Sequence, residues 1–330
     1  MCLNPLKVTV RPFLRKDGKK DLIIGYFQEE LNQSTGDMAQ HYLVPCGRCA
    51  ECRSAKRKEW SERLILESSL YPRNEVYFVT LTYDDDHIGR CLPSAVGLHS
   101  LNYDDFRTFC RKVRDVASGR FKLRSFDVPE SSDRLRYFCG MEYGDRSYRP
   151  HAHVVLFGFD LSQMSGNIPV SQTEAGTLFS SAFIAELWPY GNNTVACADV
   201  GSLCYVSGYV TKKLGKRDDY DSLGILPEKA FMSTHPAIGV RFFEQNKDLI
   251  RESGCYVNPV TGSVHSIPRY ALRTVFADDP GFVATVNHNK RVSSDLRLYK
   301  EDVDRGERAE DGRARALDAR LAQVHLKRTL

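Results

Sequence analysis

The apolar positions of the chain fall into two kinds of stretch, and their order predicts the elements. VYFVTLTY (76–83) is rich in β-branched and aromatic residues and predicts a strand. RYFCGMEYG (136–144) and HVVLFGF (153–159) predict two more, joined by the polar, proline-containing DRSYRP. In NYDDFRTFCRKVRDV (102–116), Phe106, Phe109, Val113 and Val116 fall on one side of a helix. A helix is also expected after PCGRCAEC, with Trp60, Leu64 and Glu67 at helical spacing and Pro72 just past its end. AGTLFSSAFIAELW (175–188) predicts a further helix, stopped at Pro189, and GNNTVACADV a turn with a short strand. DVGSLCYVSGYVTKKLG (199–215) predicts a helix with Asp199 or Ser202 as its N-cap and Gly215 as its stop. Residues 1–45 read as short strands and turns, and 226–290 as short strands and loops without a clear pattern. The charged stretch 299–330 reads as a frayed helical tail or disorder. The order β–α–β–β–α–(β)–α predicts an α+β fold, a central antiparallel sheet flanked by helices.

Composition narrows the class. With 330 residues, 42% hydrophobic and 27% charged, the chain has a globular composition and room for one large domain or two ordinary ones. No apolar run is long enough to span a membrane, and MCLNPLKVTV has no pattern of a secretory signal. The ten cysteines are expected to be reduced. A net charge of +4 argues neither for nor against nucleic acid, but local charge is more informative. Residues 48–63 carry Arg48, Arg53, Lys56, Arg57, Lys58 and Arg63 against Glu51, Glu59 and Glu62, and residues 212–217 carry Lys212, Lys213, Lys216 and Arg217 with no acid. Such patches bind phosphate or are ordinary solvated faces.

The candidate chemistry begins at RPHAHVVLFG (149–158). Side chains alternate along a strand, so His151 and His153 share a face, while Ala152, Val154 and Leu156 turn the other way. Two imidazoles side by side are a ready pair of metal ligands, or two polar residues at the start of a half-buried strand. If 136–144 and 151–158 pair as a hairpin, Glu142 lies across from His151 and adds the oxygen that hard divalent metals want. Tyr205 and Tyr209 are four apart on one helix, followed by Lys212 and Lys213. They read as nucleophiles or as core packing with lysines suited to the helix dipole.

The set VTLTY (79–83), RPHAHVVLF (149–157) and YVSGYVTKK (205–213), in that order, resembles the three motifs of HUH-type rolling-circle replication initiators. With MCLNP, PCGRCAECR, EYG, LW and IPRY (267–270), the chain over roughly 1–275 resembles the initiators of the microviruses, above all the gokushovirus branch. The resemblance implies an HUH endonuclease-like core over 76–225. Around it would lie an N-terminal segment with knuckle and basic helix (1–75), a C-terminal extension (226–298) and the tail (299–330). It implies that His151, His153 and Glu142 hold one Mg²⁺ or Mn²⁺. A tyrosine would attack the scissile phosphate of a single-stranded DNA origin, leaving a 5′-phosphotyrosine and a free 3′-hydroxyl. Tyr205 and Tyr209 would alternate, Tyr209 being the indispensable one, and Lys212 would steady phosphate charge. Conjugative relaxases carry the tyrosine before the histidines, so the replication arm is preferred.

C-x₂-C-x₂-C at Cys46, Cys49 and Cys52 offers three thiolates where structural zinc wants four ligands. Cys2 or His41 would complete a zinc site; the other reading is three reduced cysteines in a tight turn. Arg53, Lys56, Arg57 and Lys213 are the expected DNA-backbone contacts. No G-x₄-G-K-[ST] is present, so no built-in helicase is expected; the resemblance implies a host helicase and polymerase as partners, in the host cytoplasm. Two other functions fit the same residues: a non-catalytic zinc-dependent nucleic-acid-binding protein, and a metal-dependent phosphodiesterase that uses water.

Overall fold

The computed structural model describes residues 2–123, 125–126, 128, 135–173, 176–211 and 217–304. It divides into two compact units, the first including the N-terminal segment through Lys56 and the second comprising Arg57–Leu298. The first unit begins with β1 (Leu6–Leu14), β2 (Lys20–Ile24) and β3 (Gln40–Val44). These form an antiparallel sheet in the order β2-β1-β3, with Val8 facing Ile24 on one side and Tyr42 on the other. Arg11 bridges its acids, donating to Asp21 at 2.7 Å and to both carboxylate oxygens of Glu30 at 2.6 Å. Helix α1 (Ala50–Ser68) follows, and its residues from Arg57 onward belong to the second unit.

The second unit holds β4 (Val76–Tyr83), α2 (Tyr103–Ala117), β5 (Arg136–Tyr143), β6 (Pro150–Phe157), β7 (Asn167–Thr173), β8 (Gly176–Ser181), α3 (Ala182–Leu187), β9 (Gly191–Cys197), α4 (Val200–Ser207), α5 (Arg217–Leu223) and β10 (Lys229–Met232). After these come α6 (Val240–Gln245), α7 (Lys247–Ser253), β11 (Cys255–Val257), β12 (Val264–Ser266), α8 (Arg269–Thr274) and α9 (Pro280–Asp304). Seven strands make one antiparallel sheet in the order β10-β5-β6-β4-β9-β8-β7. The expected α+β architecture is therefore present, with nine α-helices among the described residues.

Both faces of this sheet are covered, which is why its central strands read as near-continuous apolar runs. On one face Tyr77, Val79 and Leu81 of β4 and Ala152, Val154 and Leu156 of β6 pack with Phe106, Phe109, Val113 and Val116 of α2. Burying each Val, Leu or Phe among them contributes about 1.5–3 kcal/mol. Asn102 starts α2 by accepting hydrogen bonds from the N–H groups of Asp104 and Asp105. On the other face Val76 and Phe78, Phe138, Val155 and Phe157 pack with Trp60, Leu64 and Ile65 of α1 and Leu203 and Val206 of α4. A third cluster joins Leu66 of α1 to Val240, Phe243, Ile250 and Ala271 of the C-terminal helices and to Phe276 just after α8.

Three expectations need correction. The helix expected over 175–188 is a strand up to Ser181 and a helix only from Ala182. Its first half is held by pairing with β7 and β9, a tertiary ladder that local pattern does not record, and Ser181 caps the short helix that remains. The helix expected over 199–215 is α-helical only to Ser207 and tightens to a 3-10 turn at Gly208–Val210; residues 212–215 lie outside the described residues. The stretch 226–290 holds the expected short strands β10, β11 and β12 and loops, and in addition the helices α6, α7, α8 and the start of α9, the first three too brief to show a clear period. The tail beyond Asp304 lies outside the described residues.

Candidate active site

Antiparallel pairing decides which residues meet. In the β5–β6 ladder Glu142 faces His151 and Gly140 faces His153; in the β4–β6 ladder Thr80 faces His153 and Thr82 faces His151. Glu142, His151 and His153 therefore lie at one end of the sheet, on the face that α1 and α4 cover. One carboxylate oxygen, Glu142 Oε1, lies 3.0 Å from Nε2 of His151 and 3.0 Å from Nε2 of His153. Glu142 and His153 are buried, while His151 keeps 16% of its side-chain surface exposed.

The outer nitrogens of the rings are also held. His151 Nδ1 is 3.1 Å from the Arg149 carbonyl, and His153 Nδ1 is 3.0 Å from Thr80 Oγ1. A carbonyl oxygen only accepts, so Nδ1 of His151 carries the proton and, in the neutral ring, Nε2 presents a lone pair to Glu142. A lone pair 3.0 Å from a carboxylate oxygen is repelled unless a proton or a cation lies between them. Metal-bound histidines show this same arrangement, with the far N–H donated to a carbonyl. The three donor atoms lie within 4.8 Å of one another, and one oxygen with two imidazole nitrogens suits a divalent cation. The group fits a metal.

Both tyrosines reach this cluster. Tyr209 Oη donates to Glu142 Oε1 at 2.6 Å, and its ring stacks on His153 with centroids 5.3 Å apart. Tyr205, partly exposed, sets its ring edge-on to His153 at 5.5 Å and to Tyr209 at 5.4 Å. Phe78 stacks on His153 at 5.3 Å. Burial, and next the negative charge of Glu142, push the Tyr209 hydroxyl well above the usual phenol range, so in this geometry it holds its proton and donates.

Packing explains why Tyr209 lands there. A Cβ on Gly140 would come within 2.6 Å of Tyr209 Cδ2 and 2.8 Å of its Cβ, so only glycine lets the ring lie against β5. A capping box between Asp199 and Ser202 starts α4. Helix α1 then holds it: Arg57 Nη2 donates to the Cys204 carbonyl at 3.3 Å, and Ser61 Oγ lies 2.8 Å from Ser207 Oγ. Gly140, Phe78, Ser61 and Ser207 were not marked by sequence reasoning; the one available signal was a glycine inside an apolar strand run.

The remaining expected residues are placed as follows. Cys2, Cys46, Cys49 and Cys52 bring their four sulfurs within 4.8 Å of one another, in the first unit. His41 is directed elsewhere, to Glu29 at 2.9 Å and Thr9 at 3.3 Å, so Cys2 is the fourth member. Arg53 is partly exposed and Lys56 exposed on α1, whereas Arg57 is engaged with α4. Lys212 and Lys213 lie outside the described residues.

Comparison with known proteins bears on the family. The model of the family of replication-associated proteins of the ORF2 and gene 2 protein type matches residues 76–214, a stretch that contains the acid, both histidines and both tyrosines. The replication-associated protein ORF2 of Spiroplasma virus 4 is 29% identical over 275 residues, 82% of this chain and 78% of that protein. The replication-associated protein VP4 of Bdellovibrio phage phiMH2K is 31% identical over 230 residues, 69% of this chain and 66% of that protein. The replication-associated protein ORF4 of Chlamydia phage 1 is 26% identical over 273 residues, 78% of this chain and 63% of that protein. No solved structure matches the chain. The chain belongs to this family of ORF2-type replication-associated proteins and is homologous to the replication proteins of microviruses.

Proposed function

We propose that this protein initiates rolling-circle replication by nicking single-stranded DNA at an origin and later rejoining it, with an HUH-type core and a tyrosine nucleophile. The observation that carries the reading is the meeting of Tyr209 Oη and both imidazoles on one oxygen of Glu142. When bound, an Mg²⁺ or Mn²⁺ ion held by Glu142, His151 and His153 supplies Lewis-acid polarisation of the scissile phosphate.

The chain's own groups do the rest. Glu142 Oε1 accepts the Tyr209 hydroxyl and holds the phenol oxygen beside the metal site, and the phenol proton passes to solvent as that oxygen attacks phosphorus. The P–O3′ bond breaks, the departing 3′ oxygen takes up a proton, and the 5′ phosphoryl group stays on the tyrosine. The ester keeps the energy of the broken bond, so a 3′-hydroxyl can reverse the step without ATP. Tyr205, four residues earlier and more exposed, serves as the second nucleophile for the cut that ends a round. Arg149 and Thr80 hold the outer nitrogens of the histidines and fix the ring orientations. Lys212 steadies phosphate charge, and Arg53, Lys56, Arg57 and Lys213 contact the DNA backbone. Unwinding and synthesis fall to a host helicase and polymerase in the host cytoplasm. Among the described residues no helix is long and apolar enough to cross a membrane.

The test uses oligonucleotides tiling the cognate phage genome, incubated with protein and Mn²⁺ and run on denaturing gels with and without protease. The expected product is a protease-sensitive covalent adduct that the double variant Tyr205→Phe, Tyr209→Phe lowers on the order of 10³-fold or more. Cleavage with both ends free would identify a water-using phosphodiesterase instead. Salt-sensitive binding without cleavage would identify a DNA-binding protein.

A further inference from the structure

We propose that Cys2, Cys46, Cys49 and Cys52 bind one structural zinc ion, and that this ion takes the place of a hydrophobic core in the N-terminal unit. Two independent observations support the assignment, and neither depends on the nicking activity.

The first is the geometry of the sulfurs. A tetrahedral zinc with Zn–S bonds of about 2.3 Å sets its ligands about 3.8 Å apart. Cys2 Sγ lies 3.8 Å from Cys49 Sγ, and all four sulfurs fall within 4.8 Å of one another. No disulfide joins them, since each cysteine is free. Backbone N–H groups point at the sulfurs as they do in metal knuckles: Cys46 N–H donates to Cys2 Sγ at 3.2 Å, and the N–H groups of Arg48 and Cys49 donate to Cys46 Sγ at 3.5 and 3.3 Å. Gly47, at φ 75°, supplies the left-handed residue that the C-G-R-C turn requires. Cys49 immediately precedes α1 and Cys52 sits in its first turn, where the positive end of the helix dipole favours a site of net negative charge. Four soft thiolates with no oxygen donor select zinc over the hard cations suited to the Glu142 site. A multi-iron cluster, which stands between its cysteines, would hold them farther apart than a single ion does.

The second observation is how little apolar surface the described N-terminal part of the unit buries. Among the described residues through Lys56, the buried hydrophobic side chains are Val8, Ala39 and Ala50. Leu14, Leu22, Ile24 and Leu43 of its sheet are more than half exposed. A segment of this size with so little apolar burial needs another source of stability, and a structural metal is one of the few available. The Cys2 to Cys46 link closes the chain around all three strands β1–β3, which makes metal binding and folding of this unit one event.

The test takes the full-length protein, purified with zinc and dialysed, and measures its metal content, the spectrum of its cobalt-substituted form and its cleavage by limited proteolysis. The expected result is one tightly held zinc that Cys2→Ser or Cys49→Ser removes. The cobalt form should show a thiolate charge-transfer band that survives in the His151→Ala, His153→Ala variant. A chelator should open residues 2–46 to protease while a fragment over 57–298 persists; this uses the wild-type chain and does not depend on a variant folding. A protein that holds no thiolate-bound metal, holds iron at the cysteines, or is cut identically with and without chelator would overturn the proposal.

Discussion

At the scale of the residue, the site depends on a side chain that is absent. Gly140 faces His153 across the hairpin and leaves room for Tyr209 to lie flat and reach Glu142. Gly140→Ala is therefore expected to displace the Tyr209 ring, cost about 1–3 kcal/mol of stability through overpacking, and shift DNA attachment from Tyr209 to Tyr205. Urea unfolding and mapping of the attached residue check this; unchanged attachment at Tyr209 would contradict the packing account. Glu142, His151 and His153 were legible in the sequence because strand alternation and hairpin pairing are local rules. Gly140 and Phe78 were not, because what a strand residue faces depends on which helix lands on it. Arg57 shows the same limit: in the sequence it is one member of a basic stretch, and its hydrogen bond to the Cys204 carbonyl depends on where α4 lands.

At the scale of the element, α1 is the part on which the tyrosine helix rests, and α1 is itself fixed by a buried ion pair. Arg136 Nε of β5 donates to Glu67 Oε1 at 2.5 Å, Gly239 N–H donates to Glu67 Oε2 at 2.7 Å, and Arg136 Nη2 donates to the Pro236 carbonyl at 2.6 Å. Glu67 is fully buried and Arg136 nearly so. Removing one partner strands the other charge, so Glu67→Ala should cost about 3–5 kcal/mol, read as a lower denaturant midpoint. Replacement of both partners by apolar residues of similar volume should cost less. In the sequence Glu67 showed only as a member of a helical face. Strands β4, β5 and β6 were readable because burial on both sides makes them long apolar runs. Strand β8 was not, because its TLFSS stretch precedes a real helix without a break and only the ladders to β7 and β9 make it extended.

At the scale of the whole molecule, burial of tyrosines sets how stability responds to alkali. Tyr143 is pushed up to about 12 by burial, with its hydroxyl donating to the Leu226 carbonyl and accepting the Leu101 N–H; burial likewise raises Tyr103 to about 12. Above about pH 10 the unfolded chain releases these protons while the folded chain keeps them, so the unfolded state binds fewer protons and stability falls as pH rises. The stability due to these groups is complete below about pH 10 and lost through about 12. Denaturant midpoints measured from about pH 9 to about pH 11 should decline, and Tyr143→Phe should flatten the decline. A flat profile in the wild-type protein would contradict the burial assigned to these side chains.

On the proposed function, a tyrosine held against Glu142, His151 and His153 becomes joined to DNA. The most direct test is to digest the protein–DNA adduct with nuclease and protease and map the modified peptide by mass spectrometry. The expected result is a nucleotide linked through a 5′ phosphate to Tyr209 or Tyr205, and none in the Glu142→Ala variant. A nucleotide on any other residue, or no covalent linkage where the DNA has been cut, would contradict it.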